Sequence, residues 1–423
     1  MHDTLRTTKS LIQRKYFYII LPTFVGSVIA YLDRVNIAYA ALTMNEDLGF
    51  SAQIFGMGAG IFFFGYVLFE VPGALIAERW SPRIWIARIM ITWGIISCWM
   101  AFIQNAWQFY LVRFMLGAAE ASFYPVVYAS IIPRWFTPEE RPRAIAFMLA
   151  SLQVSAIIGS PLAGWLLGVH WFAFKGWQIL FVMEAIPAFI FGILILSVLS
   201  DWPEEVSWLT HEEKQYLMAQ YKQERAAKEG VRQYTVWQAL RDWEVLKLCL
   251  IYFLWISGYW GFNYWMPTVL KEVSGWSNLA IGWLIVIPMF LSLIAMLYTG
   301  ISSSKTGEKR WHGALPMFIG AAGMGIGTFI SNPSLNFIFV IITAIGVYSA
   351  FGVWWSYPTT FLSGMAAAGA IGLINSFGNV GGYVGPYLTG FVKTMTGSFH
   401  WAYVYLACSL AAAGVLMLTL KRR

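Results

Sequence analysis

The sequence predicts an all-α membrane protein, twelve transmembrane helices in two pseudo-symmetric six-helix bundles. Three observations lead there. The 423-residue chain is 58% hydrophobic and 12% charged, about half the charge share of a soluble domain. Twelve apolar segments reach the ~20 residues that a helix needs to cross a bilayer. A shift of 226 residues lays the second half over the first, the mark of an internal repeat.

The spans follow in order. A polar, basic start, "MHDTLRTTKSLIQRK", precedes span 1 at 16–39. No small-residue cleavage site follows its apolar run, so the segment is expected to stay in the membrane. Spans 2 to 6 lie at 54–77, 84–103, 108–131, 145–168 and 177–200. A polar stretch at 201–243 contains "LTHEEKQYLMAQYKQE", charged enough for a surface helix, and reads as a tether. Spans 7 to 12 lie at 245–267, 280–300, 312–331, 335–360, 368–391 and 400–420. Hence 1–200 forms the first bundle, 201–243 the linker and 244–423 the second bundle. Several spans contain Gly or Pro, which membrane helices tolerate when neighbours satisfy the backbone.

Charge sets the expected orientation. With the N-terminus inside, 23 of the 28 Lys and Arg residues fall in or beside cytoplasmic segments. Lys175, Lys271 and Lys393 fall outside, and Arg34 and Arg113 lie within spans. The positive-inside rule puts both termini in the cytoplasm. The same bias accounts for the net charge of +7, so nucleic acid is not expected as a partner. Cys98, Cys249 and Cys408 lie in apolar segments as packing residues, and no His/Cys spacing suits a metal. Membrane lipid is the expected surrounding partner.

The repeat is specific in register. Under the 226 shift "ERWSPR" (78–83) falls on "SKTGEK" (304–309), and "IIGSPLAGW" (157–165) falls on "YVGPYLTGF" (383–391). "PGALIAERWSPR" resembles the Gly-x-x-x-Asp-Arg-x-Gly-x-Arg signature of the major facilitator superfamily, with Glu78 for the acid and Ser81 for the second glycine. In the second copy Ser304 stands where the acid would be. "YLDRVNI", "GYVLFEVPGALIAER", "RFMLGAAEASFYP" and "NSFGNVGGYVGP" resemble the anion:cation symporter branch. That branch includes permeases for sugar acids, tartrate and hydroxyphenylacetate, and the vesicular glutamate transporters. The resemblance spans essentially the whole chain. It implies alternating access with substrate between the halves, a monomer, and no cofactor beyond the proton as coupling ion. Glu78, Arg79, Arg83 and Lys305 in the 2–3 and 8–9 loops are then expected to gate the cytoplasmic side.

Ionisable residues within spans cost at least about 2.5–3.5 kcal/mol at mid-helix and need a reason. Arg34 can fork onto a carboxylate; its alternative is an internal ion pair. The branch resemblance implies that it binds the substrate carboxylate. Asp33 points about 100° away from Arg34 and needs another neighbour, for which Arg113 is expected. Arg113 and Glu120 lie seven apart, on one face of span 4. Asp33, Glu120 and Arg113 are thus the proton-coupling candidates, or else a static network. Glu70 and Glu184, each just before a proline, are expected to tie helices.

The second half has no matching charges: Asp33 and Arg34 fall on Tyr259 and Trp260. It offers aromatic walls in "YFLWISGYWGFNYWMP" and "YSAFGVWWSYP", plus Asn375 and Asn379 on one helical face. Tyr259, Ser356, Asn375 and Asn379 are the substrate candidates there. In the first half Tyr31 shares a face with Arg34, and Tyr66 and Gln153 are polar at central depth. By resemblance Tyr31, Tyr66, Arg34 and Asn379 match substrate-contact positions of sugar-acid symporters. The expected function is proton-coupled import of a small organic carboxylate, a sugar acid or hydroxy-dicarboxylate, across a bacterial inner membrane. An aromatic acid, or the same fold as a facilitator or exchanger, remains open. All five histidines fall in tails, loops and helix ends, so convergent catalytic groups are not expected, and the chain does not read as an enzyme.

Overall fold

The computed structural model describes residues 9–229, 242–355 and 365–420. Within them lie twelve long helices: α1 Ser10–Leu48, α2 Ala52–Arg79, α3 Pro82–Met100, α4 Ala106–Trp135, α5 Arg141–Leu166 and α6 Gly176–Val198, then α7 Trp243–Ser274, α8 Asn278–Thr306, α9 Arg310–Gly327, α10 Pro333–Trp354, α11 Met365–Thr396 and α12 His400–Leu418. Nine of them are long and apolar enough to cross a membrane on their own. The other three, α3, α9 and α11, pack among them. A linker helix, His211–Glu229, lies between α6 and α7.

Local chemistry sets the ends. Ser51, Ser81, Asn105, Ser277 and Asn332 accept hydrogen bonds from first-turn backbone N–H groups of α2, α3, α4, α8 and α10. These caps satisfy donors that a helix start leaves orphaned. Gly49 ends α1 and Gly275 ends α7, both left-handed at φ 66° and 68°, a backbone conformation that other residues adopt only under strain. The pair differs by 226, as do the caps Ser51 and Ser277.

The packing repeats the same way. Within the first bundle α1 packs on α5 and α6, α2 on α4, and α3 on α6; in the second, α7 packs on α11 and α12, α8 on α10, and α9 on α12. The bundles meet along α2–α11, α5–α8 and α1–α7. On the face opposite the linker they are closed by backbone contact. A Cβ at Gly56 would lie 2.5 Å from the Pro386 carbonyl oxygen, and one at Gly164 would lie 2.6 Å from that of Asn278. Gly282 against Ser160 and Gly390 against Ala52 are their mates at the same offset. Only glycine permits such approach, the small-residue device of membrane helix packing. The Lys271 ammonium donates to the Leu42 carbonyl (3.3 Å), and the Gln53 N–H to the Thr394 hydroxyl (2.9 Å), across the same face.

On the linker face three ion pairs stay within the first bundle and its linker. Arg14 pairs with Glu213 at 2.6 Å, Arg141 with Glu224 at 2.5 Å, and Arg134 with Glu78 at 3.2 Å. The linker helix is therefore fastened to the first bundle by buried and half-buried charges, a tighter arrangement than a plain tether.

One span departs from expectation. The sequence reading gives an unbroken span 4, yet the helix breaks directly after Glu120. Ser122 turns left-handed at φ 73°, a new turn starts at Phe123–Pro125, and a π-helical stretch follows at Val126–Ile131. Pro125 has no N–H to bond the Ala121 carbonyl and favours a first helical turn. The Ser122 hydroxyl donates to that carbonyl instead, and accepts from Trp85 Nε1 at 2.9 Å.

Candidate functional site

Arg34 projects from α1 into the seam between the bundles. It is 9% exposed, and its Nη2 donates to Glu120 Oε1 of α4 in a buried ion pair. Aromatic faces from both halves surround the guanidinium: Tyr66 at 5.1 Å, Phe62 at 5.3 Å, Tyr124 at 5.7 Å and, from the second bundle, Trp260 at 6.0 Å. Such faces favour a cation without consuming its N–H donors. Arg34 Nε and Glu120 Oε2 are buried without a hydrogen-bond partner. The pair is thus held through one nitrogen and one oxygen, short of the bidentate fork that Arg and carboxylate can form.

Asp33 turns into the first bundle and is 1% exposed. It accepts from Trp93 Nε1 and the Ser97 hydroxyl of α3, and from Asn36 Nδ2 at 3.2 Å. Arg113, its expected partner, lies elsewhere. Arg113 donates to the carbonyls of Gly58 (3.2 Å) and Ala59 (3.4 Å) on α2 and to the Tyr264 hydroxyl (3.5 Å), with Phe62 beneath it at 4.9 Å. The reason is depth: seven residues are two turns, about 10 Å along α4. Glu120 stands at the level of Arg34, and Arg113 two turns higher. Arg113 forms no ion pair among the described residues, and its Nη1 is buried without a partner.

The remaining candidates separate by contact. The Tyr31 and Tyr259 hydroxyls hydrogen-bond across the seam. Behind them Tyr348 donates to Asn263 Oδ1 at 2.6 Å. Tyr66 lies at the Arg34 face. Gln153 Nε2 is 3.3 Å from Met296 Sδ of the opposite bundle, and its Oε1 has no partner. Asn375 and Asn379 of α11 both donate to the Glu70 carboxylate of α2, Asn375 at 2.9 and 3.1 Å and Asn379 at 3.4 Å. Glu184 of α6 is 5% exposed, with Oε2 unpartnered. Ser356 lies outside the described residues.

The gate candidates do not join the halves in this conformation. Glu78 pairs with Arg134 inside the first bundle, Arg79 and Lys305 are exposed, and Arg83 bonds Asp201 through its backbone N–H at 2.8 Å. Sequence reasoning missed three residues of the Asp33 nest, Asn36, Trp93 and Ser97. Asn36, three residues from Asp33 on the same helix face, carried a visible signal. Trp93 and Ser97 carried none, because which face of α3 meets α1 is a matter of tertiary rotation.

Two six-helix bundles related by a repeat, closed over buried charge at one face, define a polytopic membrane carrier. The chain belongs to the Major Facilitator Superfamily, whose family model matches residues 23–386. It is therefore a transporter and not an enzyme. Among relatives, a protein of Agrobacterium vitis with a provisional assignment as a tartrate transporter is 42% identical over 397 residues, covering 93% of this chain and 90% of its own. A quinolone resistance transporter of Acinetobacter baumannii is 35% identical over 401 residues, covering 94% and 92%. Among solved structures, the inward-open xylose transporter XylE of Escherichia coli shares the fold at TM-score 0.75 and 16% identity, covering 96% of both chains.

Proposed function

We propose that the protein imports a small organic carboxylate, a sugar acid or hydroxy-dicarboxylate, together with protons, by rocking of its two bundles. The observation that carries this is the Arg34–Glu120 pair: one buried cation, held by one oxygen of one carboxylate, at the seam of the halves. Stripping a buried pair of one partner costs about 3–5 kcal/mol. A substrate carboxylate that replaces Glu120 keeps Arg34 paired throughout. Glu120 is then left as a buried, unpaired carboxylate, a state it avoids by taking a proton. Substrate and proton are thereby linked thermodynamically, the requirement for symport. Asp33, nested in neutral donors one residue away, is the second proton candidate, and Arg113, two turns above Glu120, sets the field on that side.

Tyr31, Tyr66, Gln153, Tyr259, Asn375 and Asn379 supply hydroxyl and amide groups suited to a polyol acid. Sequence similarity to a protein assigned to tartrate transport supports the same class. The charge bias of the loops supports a bacterial inner-membrane protein with both termini in the cytoplasm and the glycine-closed face outside. Glu78, Arg79, Arg83 and Lys305 then act on the cytoplasmic face in the opposite conformation. The bundles 1–200 and 244–423 rock about the linker 201–243 in a monomer. An aromatic acid is the second reading, supported by the Trp260, Phe63 and Tyr264 rings near the seam.

Uptake into proteoliposomes tests the proposal. Tartrate, glucarate and gluconate are expected to accumulate under an inwardly directed proton gradient, and uptake is expected to collapse with a protonophore. Equal uptake with and without the gradient would leave a facilitator. Uptake of aromatic acids alone would install the second reading.

A further inference from the structure

Glu70 and the amide pair on α11 carry an inference that rests on the organic-acid reading and narrows it. Glu70 is 7% exposed, belongs to the first bundle, and receives three amide contacts from the second. Asn375 and Asn379 lie four apart, so both side chains meet one point on the facing helix. The arrangement is a carboxylate site already occupied, by a carboxylate of the protein itself. Beyond Tyr66, one turn from Glu70 on the same helix, Arg34 is likewise occupied by Glu120. Both anion-reading elements, one in each bundle, are thus filled by internal acids.

We propose that the Asn375–Asn379 pair is the subsite for a second carboxylate of the substrate, and that Glu70 occupies it as a built-in competitor whose release requires a proton. The chemistry follows from the donors. Two amides that hold one carboxylate in place can hold another of the same shape. A hydroxyl offers one uncharged oxygen where the amides now span two carboxylate oxygens, and so gives up the bridging contact and the charge-assisted bonds. A dicarboxylate therefore fits Arg34 and the amide pair together better than its monocarboxylate analogue.

The proton requirement is electrostatic. A second anion brought to the amide pair lies against Glu70, and two like charges at one site cannot both persist. The groups facing Glu70 are Arg34 of α1, Tyr66 of its own helix with Glu120 of α4 beyond it, Tyr252 of α7, and the two asparagines of α11. Arg34 is the one cation among them, and a substrate bound there spends it. Protonated Glu70 gives up the amide pair, remains beside it as a neutral neighbour and can donate to the incoming carboxylate.

The test uses two four-carbon acids that differ at one end: L-tartrate, with two carboxylates, and L-threonate, with a hydroxymethyl in place of the second. Binding of each to purified full-length protein is measured by calorimetry at about pH 5.5 and about pH 8. In the wild type the tartrate-to-threonate affinity ratio is expected to fall about tenfold across that range, within the tenfold per pH unit that one linked proton permits. In Glu70→Gln the ratio is expected to become pH-independent and to remain above one. In Asn375→Ala tartrate is expected to lose more affinity than threonate, so that the ratio drops to near one, which keeps the test decisive should Glu70→Gln fail to fold. A wild-type ratio indifferent to pH, or unchanged by both substitutions, overturns the inference alone. Failure of either acid, and of their six-carbon counterparts glucarate and gluconate, to bind the wild type overturns the organic-acid reading and the inference with it.

Discussion

The two bundles are interchangeable at the closed face and different at mid-depth. At the face, Gly56 on Pro386 and Gly282 on Ser160 are the same contact made twice, as are Gly164 on Asn278 and Gly390 on Ala52. At mid-depth the repeat partners of Asp33 and Arg34 are Tyr259 and Trp260. One bundle presents a cation and acids, the other aromatic faces and amides. The contrast teaches which task needs symmetry. Rocking two bodies about a common axis is served by equal contacts on both sides of it. Reading an anion and moving a proton need one charge centre, and a duplicated Arg34 would bury a further cation, beside Arg34 and Arg113, at a cost of several kcal/mol.

Substitutions at repeat-related positions break or sharpen this comparison. The largest effect is expected at Arg34. Arg34→Ala should lower uptake at least about 100-fold, since the loss of a buried charge partner amounts to about 3–5 kcal/mol. Its repeat mate Trp260→Ala should act chiefly on KM, because it removes one aromatic face at the edge of the site. Equal collapse in both would mean that the second bundle shares the charge chemistry after all. Next comes Glu120→Gln, measured in two modes. Exchange of labelled substrate should persist, and accumulation driven by a proton gradient should be lost. Retained accumulation would move proton coupling to Asp33.

The glycine contacts give a smaller and symmetric pair. Gly56→Val and Gly282→Val each force a Cβ into a carbonyl, an overpacking cost of about 1–3 kcal/mol. Both should shift the population towards opening at the closed face, by similar amounts, seen as faster alkylation of a cysteine placed at Gln53. A strong effect of one and none of the other would refute the equivalence of the halves there. The smallest effect is expected from Tyr259→Phe, which removes one cross-seam hydrogen bond of about 0.5–1.5 kcal/mol and should raise the same alkylation rate a few-fold.

Much of the fold was legible because membrane burial writes itself in runs of about 20 residues. The 226-residue offset, found from two short motifs, reappears in the glycine stops, the serine caps and all four closing contacts. The residue types of the site were legible for a related reason: a charge within an apolar span stands out. Their pairing was not. Asp33 was expected to seek a cation, and it is satisfied by three neutral donors from α1 and α3. Arg113 was expected at its side, and it is held by backbone carbonyls two turns away from Glu120. The break after Glu120 had a visible cause in Pro125, but its exact seat at Ser122 depends on a hydrogen bond to Trp85 of another helix. Glu70 was expected to tie helices. That its partners would be two candidate substrate residues of the opposite bundle depends on how the bundles close, which no single span records.

The central claim is that substrate and proton exchange places on the Arg34–Glu120 pair. Proton uptake on substrate binding to purified protein in weak buffer, at matched saturation with the acid that binds most tightly, tests it most directly. The account expects Glu120→Gln to bind that acid and to take up one proton fewer per acid bound than the wild type. Identical proton uptake by the two proteins would contradict it.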